Sequence, residues 1–469
     1  MTPRRDRLGS VPDSLSGDRE TGRHAVQLRS RTGGATRIEI TRLGHRPAVV
    51  ASVGDAEHPS SLRAVDGANL AVAADTAVDR RIPLVFHLSS TGADVHEGVA
   101  ATHGWGTAAR ALVRASGIVP TVVCVDGPAV SGPALFLGIA DFSIMTAKAY
   151  AFVSGPRMVE QYTGVPINPE SLGGAMLHAR SDGAASFVVA DRAATDDLVI
   201  ELLTLLPTDT DSLPPIYDTD DPADRPNPDL LDMLPVSPQG SYDVRDIIRE
   251  VVDDGEMLES RAAWAPNIIT TLSTIAGRPV GIVANQPQSL AGTLDIPASQ
   301  KGARFVSFCD AFNLPLITFV DTPGFYPGKD LEWRGMIRHG AQLAFAYARA
   351  TVPRVCITLR KSYGGAYIVM DSKKMGNDLA FAWPTAEIAV MGAKGATEIL
   401  HRKASPTERQ VLETEYEERL LNPFRAADRG SIDDVIDPAD TRKVVADALS
   451  LLVGKRERLR RKRHDNIPL

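Results

Sequence analysis

Cysteine is scarce: the 469 residues hold three, Cys124, Cys309 and Cys356. Each stands in an apolar, strand-like run, and no two form a Cys-x-x-Cys pair. That argues against a disulfide framework and a zinc ribbon, and a reducing cytoplasm is the expected setting. Long apolar runs are missing as well. None reaches the ~18 residues that a membrane span needs. The opening "MTPRRDRLGSVPDSLSGDRETGRHAV" has cations but no apolar centre, so it does not read as a secretory signal. Residues 1–26 are expected to form a disordered arm. There is no surplus of cations either. The formal charge of −7 argues against general nucleic-acid binding. One exception is "GKRERLRRKRH" (Gly454–His464). It reads as a solvated helix end, or as a contact for an acidic partner or anionic cofactor.

The common catalytic signatures are also absent. "FVDTPGFYPGKD" (Phe319–Asp330) ends an apolar run in Asp-x-x-Gly, as nucleotide switches do. Yet no Gly-x-x-x-x-Gly-Lys-[Ser/Thr] run exists to cradle phosphates. "MGAKGATEI" (Met391–Ile399) lacks the leading glycine and the hydroxyl beside its lysine. No Gly-x-Ser-x-Gly elbow presents a nucleophile, and the ten histidines show no His-x-x-x-His pair. His96 and His178 fall near expected loops, where a lone histidine is more often structural. What remains is chemistry done by backbone dipoles.

What the chain does have is a repeat. A Pro- and Asp-crowded stretch, residues 207–241, cannot hold a helix or central strand for long. It separates residues 27–206 from residues 242–469. In the first half "RRIPLVFHLSSTGADVHEG" is followed by "VPTVVCVDGPAVSGPALFLG"; in the second "FNLPLITFVDTPGFYPGKD" is followed by "VPRVCITLRKSYGGAYIVM". Pro83 and Pro120 are 37 apart, and Pro315 and Pro353 are 38 apart. Twelve residues beyond the later proline stands Gly132 in one half and Gly365 in the other. Matched spacing on matched strand patterns reads as an internal duplication. Apolar β-branched runs alternating with Ala-rich helical stretches predict an α/β layered fold in each half. The strands leading to "DTPG" and "SYGG" are expected to be neighbours.

Each half has a strand, a glycine and then a helix start. Glycine admits a ligand close to the backbone, and the first N–H groups of the helix lack partners. Two converging N–H groups form an oxyanion hole. Pro133 has no N–H, so the expected donors are Ser131 and Gly132 in the first half, and Gly365 and Ala366 in the second. Tight packing of helix on strand would explain either glycine alone.

Several longer stretches resemble the carboxyltransferase (beta) subunit of biotin-dependent acyl-CoA carboxylases. They are "LDIPASQKGARFVSFCDAFNLPLITFVDTPGFYPGKDLEWRGMIRHGAQLAFAYA" (Leu294–Ala348), "AFAWPTAEIAVMGAKGATEIL" (Ala380–Leu400), "NPFRAADRGSIDDVIDP" (Asn422–Pro438) and the ending "RHDNIPL". The first half is similar in register. "GPAVSGPA" stands for the family's Gly-Pro-x-Ala-Gly-Gly-Ala, and "STGADVHEG" departs at Thr91 and Asp94. The resemblance implies two crotonase-like domains of ββα superhelix type, assembled into a homohexamer. It implies carboxyl transfer from carboxybiotin to the α-carbon of an acetyl- or propionyl-type acyl-CoA. The CoA side would be the N-terminal half, with Gly92 and Ala93 among the substrate contacts. The biotin side would be the C-terminal half, and Tyr367 is a further expected substrate contact. Ile368, three residues after Gly365 and so on the same helical face, is expected to form the apolar wall of the acyl pocket, unless it only packs on the neighbouring strand.

Biotin and its ATP-dependent carboxylation are expected on a partner, a biotin carboxylase and carrier subunit. The nearest match to a biotinylation motif, "SKKMG" (Ser372–Gly376), is poor. No metal, membrane or nucleic-acid partner is expected. Two alternatives stay open: a biotin-dependent decarboxylase subunit, and a non-catalytic scaffold. The departures at Thr91, Asp94 and Pro133 favour the scaffold.

Overall fold

A computed structural model describes residues 26–27, 33–237, 240–457, 459 and 465–468. Residues 1–25 of the expected arm, and most of the basic tail beyond residue 457, lie outside the described residues. Two sheets of the same design account for the strands. The first holds β1 (Val26–Gln27), β2 (Thr36–Leu43), β3 (Arg46–Val53), β4 (Ser60–Leu62), β5 (Leu84–Ala93), β6 (Thr121–Val130), β7 (Phe142–Thr146), β8 (Tyr150–Phe152) and β9 (Phe187–Val189). The second holds β10 (Leu258–Glu259), β11 (Ile268–Ile275), β12 (Arg278–Asn285), β13 (Leu316–Thr322), β14 (Arg354–Tyr363), β15 (Leu379–Ala382), β16 (Glu387–Ala389) and β17 (Asp434–Val435).

Each sheet opens with an antiparallel hairpin, β2–β3 or β11–β12, and continues with parallel strands joined through helices. The central runs β5–β6 and β13–β14 are buried almost throughout. That is why they read as continuous apolar stretches and not as alternating ones. The strands ending at "DTPG" and "SYGG" are indeed parallel neighbours. Residues 207–241 carry no strand among the described residues, and their one helical segment there is a short 3₁₀ turn, Pro228–Leu230.

The two sheets share one irregularity. On β13–β14 the register runs Val320 with Thr358, then Thr322 with Ser362. Asp321 therefore faces three residues, Leu359, Arg360 and Lys361. On β5–β6 it runs Leu88 with Val125, then Ser90 with Ala129, so Ser89 faces Asp126, Gly127 and Pro128. A bulge bends a strand and re-aims the residues beyond it. Past the bulge, each strand changes neighbour. β6 pairs β7 through Val122–Val125, then β8 through Pro128–Val130. β14 pairs β15 through Val355–Thr358, then β16 through Lys361–Tyr363.

The halves meet through a continuous apolar core. The helix Ile296–Ala311 begins at Asp295, whose carboxylate accepts the Ala298 N–H. Its Phe305 and Phe308 lie with Phe142, Val122 and Cys124 of the other half. The Phe142 and Phe308 rings meet edge to face, centroids 4.8 Å apart. Arg304 donates to the Ala140 carbonyl at 2.8 Å. Buried Lys301 donates to the carbonyls of Trp264, Ala265 and Ile268, and so fixes the loop that lays Trp264 beneath Gly183. Truncating Phe308 to Ala removes the edge-to-face pair and leaves a cavity, a cost of about 3–5 kcal/mol. The expected result is an earlier urea midpoint. An unchanged midpoint would show that this ring does not tie the halves together.

Candidate active site

The C-terminal turn is built on the bulge. Asp321 is buried in it and accepts from Tyr242 Oη at 2.9 Å, Arg360 Nε at 2.9 Å and the Lys361 N–H at 3.1 Å. Burial pushes its carboxyl above the usual range, and the Arg360 guanidinium pulls the other way. The aspartate of "DTPG" is thus a brace inside the fold. The re-aimed end of β14 then turns at Gly364, whose φ of +60° favours glycine. The helix Gly364–Val369 comes next. The N–H groups of Gly364, Gly365 and Ala366 have no helical carbonyl behind them.

Gly365 is exposed and sits outside the left-handed region. A Cβ there would meet only the Phe325 ring, at 3.4 Å. Neither packing nor backbone geometry demands glycine here, although glycine costs a helix about 1 kcal/mol relative to alanine. A ligand approaching closely would demand it. Ala366 is buried behind it. Phe325 was not singled out from the sequence. The duplication could have found it, since Gly324–Phe325 stand nine and ten residues after Pro315, as Gly92–Ala93 do after Pro83.

The N-terminal turn has the same plan and different chemistry. Ser131, in the place of Gly364, has φ 63° and ψ −125°, a strained conformation for a side chain, at a cost of about 1–3 kcal/mol. Its N–H donates to the Phe152 carbonyl at 2.8 Å, extending the β6–β8 ladder by one bond. The sequence expectation is corrected here: the Ser131 N–H is taken, and Gly132 keeps the one backbone donor of the pair. Gly132 is buried against Trp105, where a Cβ would lie 2.5 Å from the indole. Packing alone therefore requires this glycine.

Gly92 (φ +101°) lies against the Val130 carbonyl, which brings Gly92 and Ala93 beside the Ser131 turn. Asp94 caps the short turn after it, accepting the His96 N–H at 3.0 Å and the Ser61 hydroxyl at 3.1 Å. Thr91 is exposed. Tyr367, an expected substrate contact, is half-buried. Its hydroxyl donates to the Ser431 carbonyl at 3.3 Å, and its ring packs on the cluster around Ile388 and Ile432. Ile368, three residues after Gly365, is 38% exposed.

Behind the N-terminal turn stands His178. Its Nε2 faces the Ala151 carbonyl at 2.7 Å, and its Nδ1 faces the Asp182 carboxylate at 2.9 Å. Both neighbours only accept, an arrangement that favours donation from both ring nitrogens, as in an imidazolium. The hydrogen bond to Asp182 raises its pKa above the ordinary value. His178 thus holds β8, and β8 holds Ser131.

Fold and turns together define an enzyme of crotonase type, with backbone N–H groups left without helical partners where a strand turns into a helix. The carboxyl transferase domain family matches residues 41–467. The chain is 44% identical over 428 residues to the propionyl-CoA carboxylase beta chain of Saccharopolyspora erythraea, covering 87% of this chain and 78% of that one. It is 42% identical over 393 residues to the methylmalonyl-CoA carboxyltransferase 12S subunit of Propionibacterium freudenreichii subsp. shermanii, covering 82% and 75%. It is 41% identical over 395 residues to the methylmalonyl-CoA decarboxylase subunit alpha of Propionigenium modestum, covering 82% and 76%. A crystal structure of transcarboxylase 12S, a hexamer with methylmalonyl-coenzyme A and methylmalonic acid bound, superposes with a TM-score of 0.92 at 37% identity, over 95% of this chain and 90% of that one. This chain belongs to the carboxyl transferase family, as a carboxyltransferase subunit of the biotin-dependent acyl-CoA carboxylase type. It is an enzyme subunit, which sets the scaffold alternative aside.

Gly365→Val should leave the melting temperature near that of the wild type and abolish carboxyl transfer, while Lys361→Ala should cost far less. A Gly365→Val rate above about a tenth of wild type would show that one donor's stabilisation was never there. For His178 the folded pKa is raised, so its contribution to stability is full below ~6.5 and is lost as pH rises through the folded value. Thermal melts of the wild type and His178→Gln should therefore differ most in mild acid and converge in alkali. A pH-independent difference would show that the ring is not charged in the fold.

Proposed function

We propose that the chain moves a carboxyl group from carboxybiotin, presented by a separate carrier subunit, to the α-carbon of a short-chain acyl-CoA, with propionyl-CoA preferred over acetyl-CoA. The observation that carries this reading is Gly365, an exposed glycine that neither its neighbours nor its backbone requires. The relatives support the acyl class: their names specify propionyl-CoA and methylmalonyl-CoA. Homohexameric assembly, partnership with a biotin carboxylase and carrier subunit, and a cytoplasmic setting belong to the same reading.

The residues fit a ureido group. Gly365 leaves the space a Cβ would fill, and two N–H groups stand at its edge. When bound, biotin supplies the carboxyl carbon and an acceptor for the α-proton. Gly365 and Ala366 would donate their N–H groups to the ureido oxygen. Gly132 donates to the thioester oxygen as the α-carbon loses its proton and the enolate forms. Each such donor is worth roughly 3–4 kcal/mol of barrier. Ile368 lies one helical turn from Gly365 and forms an apolar wall beside the reacting carbon.

The decarboxylase reading uses the same site in the opposite direction. It is favoured by the 41% identity to the methylmalonyl-CoA decarboxylase subunit. The two are separated by supplying purified chain with a biotinylated carrier domain and tracking carboxyl flow each way, with and without a biotin carboxylase. Failure to bind any acyl-CoA in calorimetry would sink both. For Ile368→Asp the expected outcome is a shift in preference among acetyl-, propionyl- and butyryl-CoA, worth ~1–3 kcal/mol in relative kcat/KM. If all three fall by one factor, or none moves, Ile368 belongs to the core and the wall lies elsewhere.

A further inference from the structure

The two turns are unequal in donors. The C-terminal turn offers the N–H groups of Gly365 and Ala366. In the N-terminal turn the place of Ala366 is held by Pro133, which has no N–H, and the Ser131 N–H is taken by Phe152. Gly132 is left as the single backbone donor of the turn.

At the same point a side chain appears where the other half has none. Ser131 occupies the position of Gly364, in a conformation that strains any residue with a Cβ. It is exposed. Its hydroxyl makes no capping hydrogen bond to the adjoining 3₁₀ turn, and no partner for it stands among the described residues. The strained position is fixed by its surroundings: Phe152 holds the N–H, and the next residue, Gly132, is pressed onto Trp105. The Ser131 hydroxyl thus stands on an exposed residue directly before the Gly132 N–H, at a strand-to-helix turn of the kind that holds a side-chain oxygen out from the sheet.

We propose that the Ser131 hydroxyl is a catalytic residue that donates a hydrogen bond to the thioester oxygen of the acyl-CoA, alongside the Gly132 N–H. It supplies from a side chain the second donor that the other turn supplies from the backbone. The proposal rests on the carboxyl-transfer reading of the site. The hydroxyl acts as a donor and not as a nucleophile, because no histidine or carboxylate among the described residues hydrogen-bonds it to take its proton.

The test compares Ser131→Gly and Ser131→Ala with wild type in the full-length chain. Melting temperature, kcat and KM for propionyl-CoA are measured with a biotinylated carrier domain. Ser131→Gly releases the strain, so its melting temperature rises while kcat falls at least about tenfold and KM moves less than about twofold. Ser131→Ala keeps the strain and loses the same factor in kcat without the thermal gain. Wild-type kcat in Ser131→Gly would overturn the proposal and leave the carboxyl-transfer reading standing. An acyl adduct on Ser131 in intact-mass measurements would also overturn it, since the oxygen would then attack and not donate. A wild type that neither binds acyl-CoA nor transfers a carboxyl group would overturn both.

Discussion

Everything at the candidate site depends on a bulge that places one residue of a parallel strand opposite three of the next. Without it, β6 and β14 would run straight along one neighbour and end flush with the sheet edge. With it, each strand lets go of β7 or β15 and takes up β8 or β16, so its last residues leave the sheet at an angle. In the C-terminal half the gap is filled by the Asp321 carboxylate, and the bulged strand brings the cation Arg360 to it. In the N-terminal half the charges are arranged differently. The bulged strand carries the carboxylate, Asp126, and Arg192 reaches it from a helix at 2.9 Å. Gly127 leaves room for the Ser89 hydroxyl, which a Cβ would meet at 2.5 Å.

The glycines of the two turns look alike in the sequence and are required for different reasons. Gly364 is required by its own backbone, Gly132 by the Trp105 ring, and Gly365 by neither. Only the last is evidence for a ligand. This ordering also explains why backbone donors can serve as the chemical groups here. They are held by hydrogen bonds and packing beneath the turn, so they need no reorganisation when charge develops.

Much of this was legible in the sequence. The duplicated proline-to-glycine spacing marked the two halves, the parallel pairing and the positions of both turns, because strand length and turn position are fixed by local chemistry. The Pro- and Asp-rich stretch without strands was legible for the same reason. The donor inventory was not. Whether the Ser131 N–H is free depends on β8, and nothing in the run around Ser131 shows that Phe152 will lie across from it. For Tyr367 a substrate contact was the expectation. Its hydroxyl meets Ser431, 64 residues later in the chain, a pairing no local pattern records. His178 was set aside as structural. It is structural, but the thing it holds is the strand that positions a site residue.

The change of neighbour along β6 and β14 also separates two kinds of tolerance within a single strand. Below the bulge, each residue is wedged between sheet and helices, and its replacement disturbs a core that runs through both halves. Above it, the tip keeps one pairing with the preceding strand and otherwise answers to a three-residue partner strand and to whatever sits in the turn. Alteration can accumulate there without reaching the foundation. Val-Ser-Gly-Pro in one copy and Tyr-Gly-Gly-Ala in the other stand on the same offset. A fold divided in this way can redesign how it grips an anion while leaving unchanged the part of the strand that makes it fold.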